Sequence, residues 1–110
     1  MEKSNLENFI RGWIVGAFKP SIYSTNDVEF AIQKFQKGDI EASHCHKIAT
    51  EITVIVSGKA LMKGQLLSEG DVVKIAPGEF TDFEALEDTT TAVLKLPGAL
   101  NDKYLEKEEN

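Results

Sequence analysis

The sequence predicts a single all-β domain whose short strands close into a barrel or a sandwich. Short runs rich in β-branched and aromatic residues follow one another, and a glycine or proline ends them at intervals of roughly ten residues. A chain of 110 residues is long enough for one modest core. Strands at this spacing leave no room for helical crossovers, so we expect antiparallel pairing. Closure of the sheets would also remove exposed strand edges.

The elements follow a simple order along the chain. Polar residues dominate the first ten positions, where the spacing of Leu6, Phe9 and Ile10 predicts one or two helical turns. The predicted strands then lie in GWIVGAF, DVEFAIQKF, EITVIVSG, KALMKG, EGDVVKIAPG and TTTAVLKLPG. The final EKEEN is a solvated tail. We therefore expect one domain over residues 1–110, with a barrel core at about 12–104.

The charge balance and the apolar segments exclude several classes of protein. Eighteen acidic residues against twelve basic ones give a net charge of -6, which repels phosphate backbones and argues against a nucleic-acid partner. The longest apolar stretch, from Phe9 to Phe18, is interrupted by Arg11 and is about half as long as a membrane span. It also lacks the features of a secretory signal, so we expect a cytoplasmic protein with no membrane partner. Cys45 is the only cysteine, which excludes an internal disulfide.

Both histidines of the chain lie within the segment SHCHKIATE. His44 and His46 are two residues apart, so in an extended strand their side chains point to the same face. The same alternation predicts that Ile40 and Ala42 share this face and that Cys45 points to the other one. Two imidazoles on one face can bind a common ion.

Glu51 stands at the head of the apolar run EITVIVSG, where a charge is costly to bury without a partner. One possible partner is a metal ion, because two histidines and one carboxylate form a set that suits Fe, Mn, Ni or Zn. Another is a lysine. We expect Lys95 to be exposed at a strand end, and a buried Lys95 paired with Glu51 would be the main alternative to metal binding. A third interpretation is two surface histidines and a solvated Glu51.

The spacing of these residues resembles the first motif of the cupin family. Five residues separate Gly38 from His44, four separate His46 from Glu51, and six separate Glu51 from Gly58. The resemblance implies a double-stranded β-helix, a jelly-roll barrel with a short N-terminal extension and an internal site. It further implies that His44, His46 and Glu51 are metal ligands and that the two glycines serve turns.

The second cupin motif is matched less completely. Gly70 and Gly78 stand at its glycine positions, but the family's third histidine falls on Thr81. The neighbouring Asp82 has suitable oxygen atoms but the opposite strand parity, so a bulge after Gly78 would be needed to turn it inward as a ligand. We expect Thr81 and Phe83 to line the substrate pocket.

The resemblance extends over roughly residues 12–104. Over this range the chain is similar to a group of small stand-alone cupins that share no common reaction. The resemblance implies a metal-binding protein that acts on a small polar molecule such as a sugar or a carboxylate, by isomerase, epimerase or dioxygenase chemistry. The alternative is a non-catalytic binding or assembly protein that uses the same barrel. The apolar segments IVGAF and VEFAI exceed what one small core absorbs, which predicts a homodimer.

Overall fold

A computed structural model describes residues 1–109, without the side chains of 108 and 109. This part of the chain contains ten strands and three short 3-10 helices. The strands are β1 (Trp13–Val15), β2 (Glu29–Phe35), β3 (Ile40–His46), β4 (Thr50–Ser57), β5 (Lys59–Met62), β6 (Gln65–Ser68), β7 (Val72–Ile75), β8 (Thr81–Ala85), β9 (Thr89–Leu96) and β10 (Lys103–Leu105). The helices are Leu6–Asn8, Ile10–Gly12 and Glu106–Glu109. None of the helices in residues 1–109 is long and apolar enough to cross a membrane.

The strands form two five-stranded sheets in which all neighbouring strands are antiparallel. One sheet has the order β1-β2-β9-β4-β7 and the other has the order β10-β3-β8-β5-β6. Strands close in sequence, such as β3 and β4, lie in different sheets, as expected of a jelly roll. The all-β class and the antiparallel pairing predicted from the sequence are confirmed.

Apolar side chains of β4 to β8 form a buried hydrophobic cluster. Its buried members are Ile55, Ala60, Met62, Leu67, Ile75, Phe83 and Ala85. The ring of Phe35 packs against that of Phe83, with 4.5 Å between their centroids. Two members of this cluster, Met62 and Phe83, also line the cavity that holds the polar side chains of the candidate site.

Several elements differ from those predicted. The first strand covers only Trp13–Val15 of the predicted segment, and the predicted helical turns before it are 3-10 helices. β6 and β10 were not predicted, and β3 and β8 were expected as strands only around the histidine pair and around Thr81. The β5–β6 hairpin turns at Lys63 and Gly64, both of which have positive φ, as a tight two-residue turn requires.

The two motif glycines lie in turns, as the resemblance implies. Gly38 has φ +92° and Gly58 has φ +96°, a region that other residues rarely adopt. A Cβ atom at Gly58 would also lie 2.5 Å from the carbonyl oxygen of Asp88. Glycine is therefore required at position 58 for both conformation and space.

Candidate functional site

A β-bulge in β3 determines which of its side chains face the interior. Glu41 pairs with Phe83 of β8 and His44 pairs with Thr81, so three steps along β3 correspond to two along β8. The extra residue shifts the alternation of side chains between the two faces.

The side chains of β3 that share a face with His44 and His46 are therefore not the predicted ones. Ile40 is 70% exposed and Ala42 is also exposed, whereas Glu41 is partly buried and lines the same cavity as the histidines. The prediction that Ile40 and Ala42 share the histidine face is wrong, because strict alternation takes no account of a bulge. The bulge adds the carboxylate of Glu41 to the site.

The histidines open onto a cavity of about 120 Å³ between the two sheets. Its lining includes every site residue predicted from the sequence, namely His44, His46, Glu51, Thr81, Asp82 and Phe83. The residues of both cupin motifs therefore meet at one place, although they come from strands of both sheets. The cavity volume suits a few water molecules or one small ligand.

His46 and Glu51 lie next to each other at the buried side of this cavity. Nδ1 of His46 is 3.6 Å from Oε1 of Glu51, and their side chains are 6% and 12% exposed. The other carboxylate oxygen of Glu51 accepts a hydrogen bond of 2.8 Å from the Thr53 hydroxyl, which orients it. The rings of His44 and His46 are nearly perpendicular, with centroids 5.4 Å apart.

Both imidazoles have a ring nitrogen suited to binding a metal ion. Burial, followed by the charge of Lys95, lowers the pKa of His46 from 6.5 to about 4, so its ring is neutral at neutral pH. Nδ1 of His44 lies 2.9 Å from the carbonyl oxygen of Ala42. A carbonyl only accepts, so Nδ1 carries the proton of the neutral ring and Nε2 keeps its lone pair.

The chemistry of this donor set fits a divalent cation, because neutral imidazoles and a carboxylate are its usual ligands. Within residues 1–109, however, no group of three or more histidine, cysteine, aspartate or glutamate side chains has metal-binding geometry. His44, His46 and Glu51 would have to converge further around one ion.

Thr81 and Asp82 point in opposite directions from β8. Thr81 is buried and lines the cavity beside His44, with its hydroxyl donating to the carbonyl oxygen of Asp82. Asp82 is exposed at the rim, and its carboxylate accepts a hydrogen bond of 2.9 Å from the Lys63 amide. The pairing of β8 shows no bulge after Gly78, so the hypothesis that Asp82 turns inward is corrected. Its carboxylate instead supports the β5–β6 turn.

Lys95 is partly buried rather than exposed, which corrects the prediction from the sequence. It continues the inward-facing row of Thr91 and Val93 on β9. Its position on β9 places it directly between Glu29 of β2 and Glu51 of β4. Its ammonium lies 3.9 Å from Glu29 Oε1, and the two side chains are 15% and 8% exposed. The lysine that was expected to compete with a metal for Glu51 thus pairs with a different carboxylate.

Asp102 is a site-supporting residue that the sequence analysis missed. Its carboxylate is 3% exposed and accepts hydrogen bonds from three consecutive backbone amides, those of Lys47, Ile48 and Ala49. These residues form the connection between the histidine strand and Glu51. The only signal in the sequence was the NDKY segment within the cupin resemblance, since a buried aspartate cannot be told from a surface one by pattern alone.

Comparison with known proteins identifies the fold. No protein-family model and no curated protein matches the sequence. A solved structure from Klebsiella pneumoniae, described as an uncharacterized conserved protein with a double-stranded β-helix domain, matches with a TM-score of 0.66 and 25% identity. The match covers 74% of this chain and 71% of that one. An RmlC-like cupin from Shewanella frigidimarina matches with a TM-score of 0.62 and 18% identity, over 71% and 72% of the two chains.

Oxalate decarboxylase from Bacillus subtilis, whose Mn(II) centres have been studied, is a further structural match. It has a TM-score of 0.63 and 20% identity over 74% of this chain, but the match covers only 25% of the larger enzyme. At this identity the likeness concerns the fold. Together with the two five-stranded sheets, these matches show that the protein has the double-stranded β-helix fold found in cupin structures.

Proposed function

We propose that this cupin binds one divalent metal ion through His44, His46 and Glu51 and holds a small polar molecule beside it. The observation that carries the proposal is that two imidazoles and one carboxylate line the same cavity, while Lys95 is paired with Glu29. Glu51 is therefore available to a cation. The Mn(II) centres of the structurally similar oxalate decarboxylase support a metal of this class.

The protein's own residues would prepare the site in three ways. Thr53 orients the Glu51 carboxylate, the Ala42 carbonyl selects the His44 tautomer, and the low pKa of His46 keeps its ring unprotonated. When bound, the metal would act as a Lewis acid or bind dioxygen. The chemistry is then of the isomerase, epimerase or dioxygenase kind, and the fold does not choose among these.

Metal binding tests the proposal directly. The purified protein is analysed for its metal content, stripped with a chelator and titrated with Co(II), whose visible spectrum reports coordination. We expect one ion per chain, and we expect His44→Ala, His46→Ala and Glu51→Gln each to weaken binding at least about tenfold. Glu69→Gln, at an exposed site, is the matched control. Binding that is unchanged in all three variants would refute the site.

A metal-loaded protein without turnover of any polar probe would support the alternative, a non-catalytic binding or assembly protein. The homodimer and the cytoplasmic location are further parts of the proposal. Large apolar side chains lie exposed on the described surface, including Ile40 at 70% and Val72 at 63%, and a second copy would cover part of them. Sedimentation showing a monomer at micromolar concentration would contradict the dimer.

A further inference from the structure

Lys95 and Trp13 form a boundary between two cavities. Both residues line the cavity of the proposed metal site, and both also line a neighbouring cavity of about 250 Å³. We call this neighbour the side cavity; its other lining residues are Ile10, Phe18, Lys19, Pro20 and Glu29. Its walls thus combine four apolar or aromatic residues with the Lys95–Glu29 pair and a second lysine, Lys19.

The ammonium of Lys95 has capacity to bind an anion. It carries three donors, and its distance of 3.9 Å from Glu29 Oε1 is longer than a hydrogen bond. It lies 4.7 Å from the centroid of the Trp13 ring. This cation–π contact is electrostatic and leaves the N–H groups of the ammonium able to donate hydrogen bonds to a ligand. Because the side chain is only 15% exposed, a charged ligand there would meet little screening by water.

We propose that Lys95 binds the carboxylate of a small organic monoacid whose apolar or aromatic group occupies the side cavity. This inference names the ligand class for the proposed metal site, and its relevance to that site rests on the proposed function. The carboxylate would lie between Lys95 and the metal position, and the apolar group would contact Trp13 and Phe18.

The surrounding charges favour a single negative charge over a more highly charged group. Arg11 and Lys103 also line the metal-site cavity, but Arg11 already pairs with Glu41 at 3.5 Å. Glu29 and Glu51 flank Lys95 on the neighbouring strands. A dianion such as phosphate would be repelled by these carboxylates, and an uncharged sugar would form no ion pair with Lys95.

Trp13 is the only tryptophan of the chain and lines the side cavity, so its fluorescence would report ligand binding there. Metal-free protein is titrated with phenylacetate, with its neutral analogue phenylacetamide and with acetate, and Trp13 fluorescence is followed. We expect saturable binding of phenylacetate, at least about tenfold tighter than that of phenylacetamide, because only the acid pairs with Lys95. Acetate should bind about tenfold more weakly, since it leaves the side cavity empty.

Lys95→Met should weaken phenylacetate binding by about tenfold or more, whereas Lys34→Met, on the exposed face of the neighbouring β2, should not. Equal affinity for the acid and the amide in the unaltered protein would overturn the proposal even if Lys95→Met does not fold. Equal affinity of Lys95→Met and the unaltered protein would also overturn it. Metal binding without phenylacetate binding would refute this inference alone, and phenylacetate binding without metal binding would refute the proposed metal site alone.

Discussion

The ammonium group of Lys95 pairs with Glu29 of one neighbouring strand rather than with Glu51 of the other. Lys95 lies between the two glutamates in the sheet, yet its Nζ is 3.9 Å from Glu29, while Glu51 bonds Thr53 and faces His46. Glu29 is itself fixed by the backbone amide of Ala99, which donates a hydrogen bond of 2.8 Å to Oε2. Glu29 thereby keeps a potential metal ligand from forming an internal ion pair.

The first prediction follows from this arrangement. Glu29→Gln keeps a hydrogen-bond acceptor for Ala99 but removes the charge that attracts Lys95. Lys95 should then turn to Glu51 and weaken Co(II) binding about tenfold, as the loss of supporting interactions around metal sites does. Competition with a chelator measures the effect. The double variant Glu29→Gln/Lys95→Met should regain most of the affinity, and failure to regain it would show that Glu29 acts in some other way.

The second prediction concerns the pH dependence of stability in the metal-free protein. Burial, with the Lys95 charge as the next cause, lowers the pKa of His46 to about 4 in the folded protein, against 6.5 for the free side chain. The unfolded chain therefore binds more protons between these pKa values, so stability falls as the pH falls from above 6.5 through 4. We expect His46 to contribute a loss of about 2 kcal/mol between about pH 7 and about pH 5.

Urea unfolding at the two pH values tests this expectation, with His46→Gln as the control that lacks the titrating ring. Proton NMR of the imidazole signals reports the pKa of His46 directly. A His46 signal that titrates near its ordinary value would show that the ring is not buried as described.

The third prediction concerns Asp102, whose carboxylate binds three backbone amides of the loop that leads to Glu51. Asp102→Asn preserves the size of the side chain but points an amide NH₂ at those donors. We expect a loss of about 2 to 3 kcal/mol in the free energy of unfolding, because buried donors lose a charged acceptor. Asp71→Asn is the control: Asp71 accepts the Ser68 amide in an exposed turn, so its replacement should cost less than about 1 kcal/mol. Equal losses in the two variants would contradict a special role for Asp102.

The fourth prediction concerns Thr81, which is buried and lines the cavity. It lies opposite His44 on the adjacent strand. Thr81→His places a third imidazole where the resemblance to cupins implies a ligand, and it should tighten Co(II) binding about tenfold. Asp82→Ala should change the affinity little, since Asp82 is exposed and bonds Lys63. Chelator competition measures both. A severe loss of affinity in Asp82→Ala would show that Asp82 does turn inward when a metal is bound.

The local pattern of the sequence was sufficient for the fold class and for the segment from His44 to Glu51 that lines the cavity. Turn residues at regular intervals predict short antiparallel strands, because glycine and proline interrupt strands for reasons of backbone geometry that act locally. The motif spacing from Gly38 to Gly58 identified the segment that the structure places at the cavity. The resemblance to the second cupin motif led us to expect Thr81 and Phe83 in the pocket, and both are buried on the same face of β8, which has no bulge between them.

Other features depend on contacts between residues far apart in the chain, and only the tertiary structure decided them. The bulge in β3 arises from its pairing with β8, and it turns Glu41 inward in place of Ile40 and Ala42. The partner of Lys95 depends on which strands lie on either side of β9, and Asp102 bonds amides 53 to 55 residues away. The charge and the strand propensity of a residue do not reveal which residues of distant strands will lie beside it. Those neighbours are fixed only when the strands pair into sheets, because strand stability depends on the cross-strand contacts themselves.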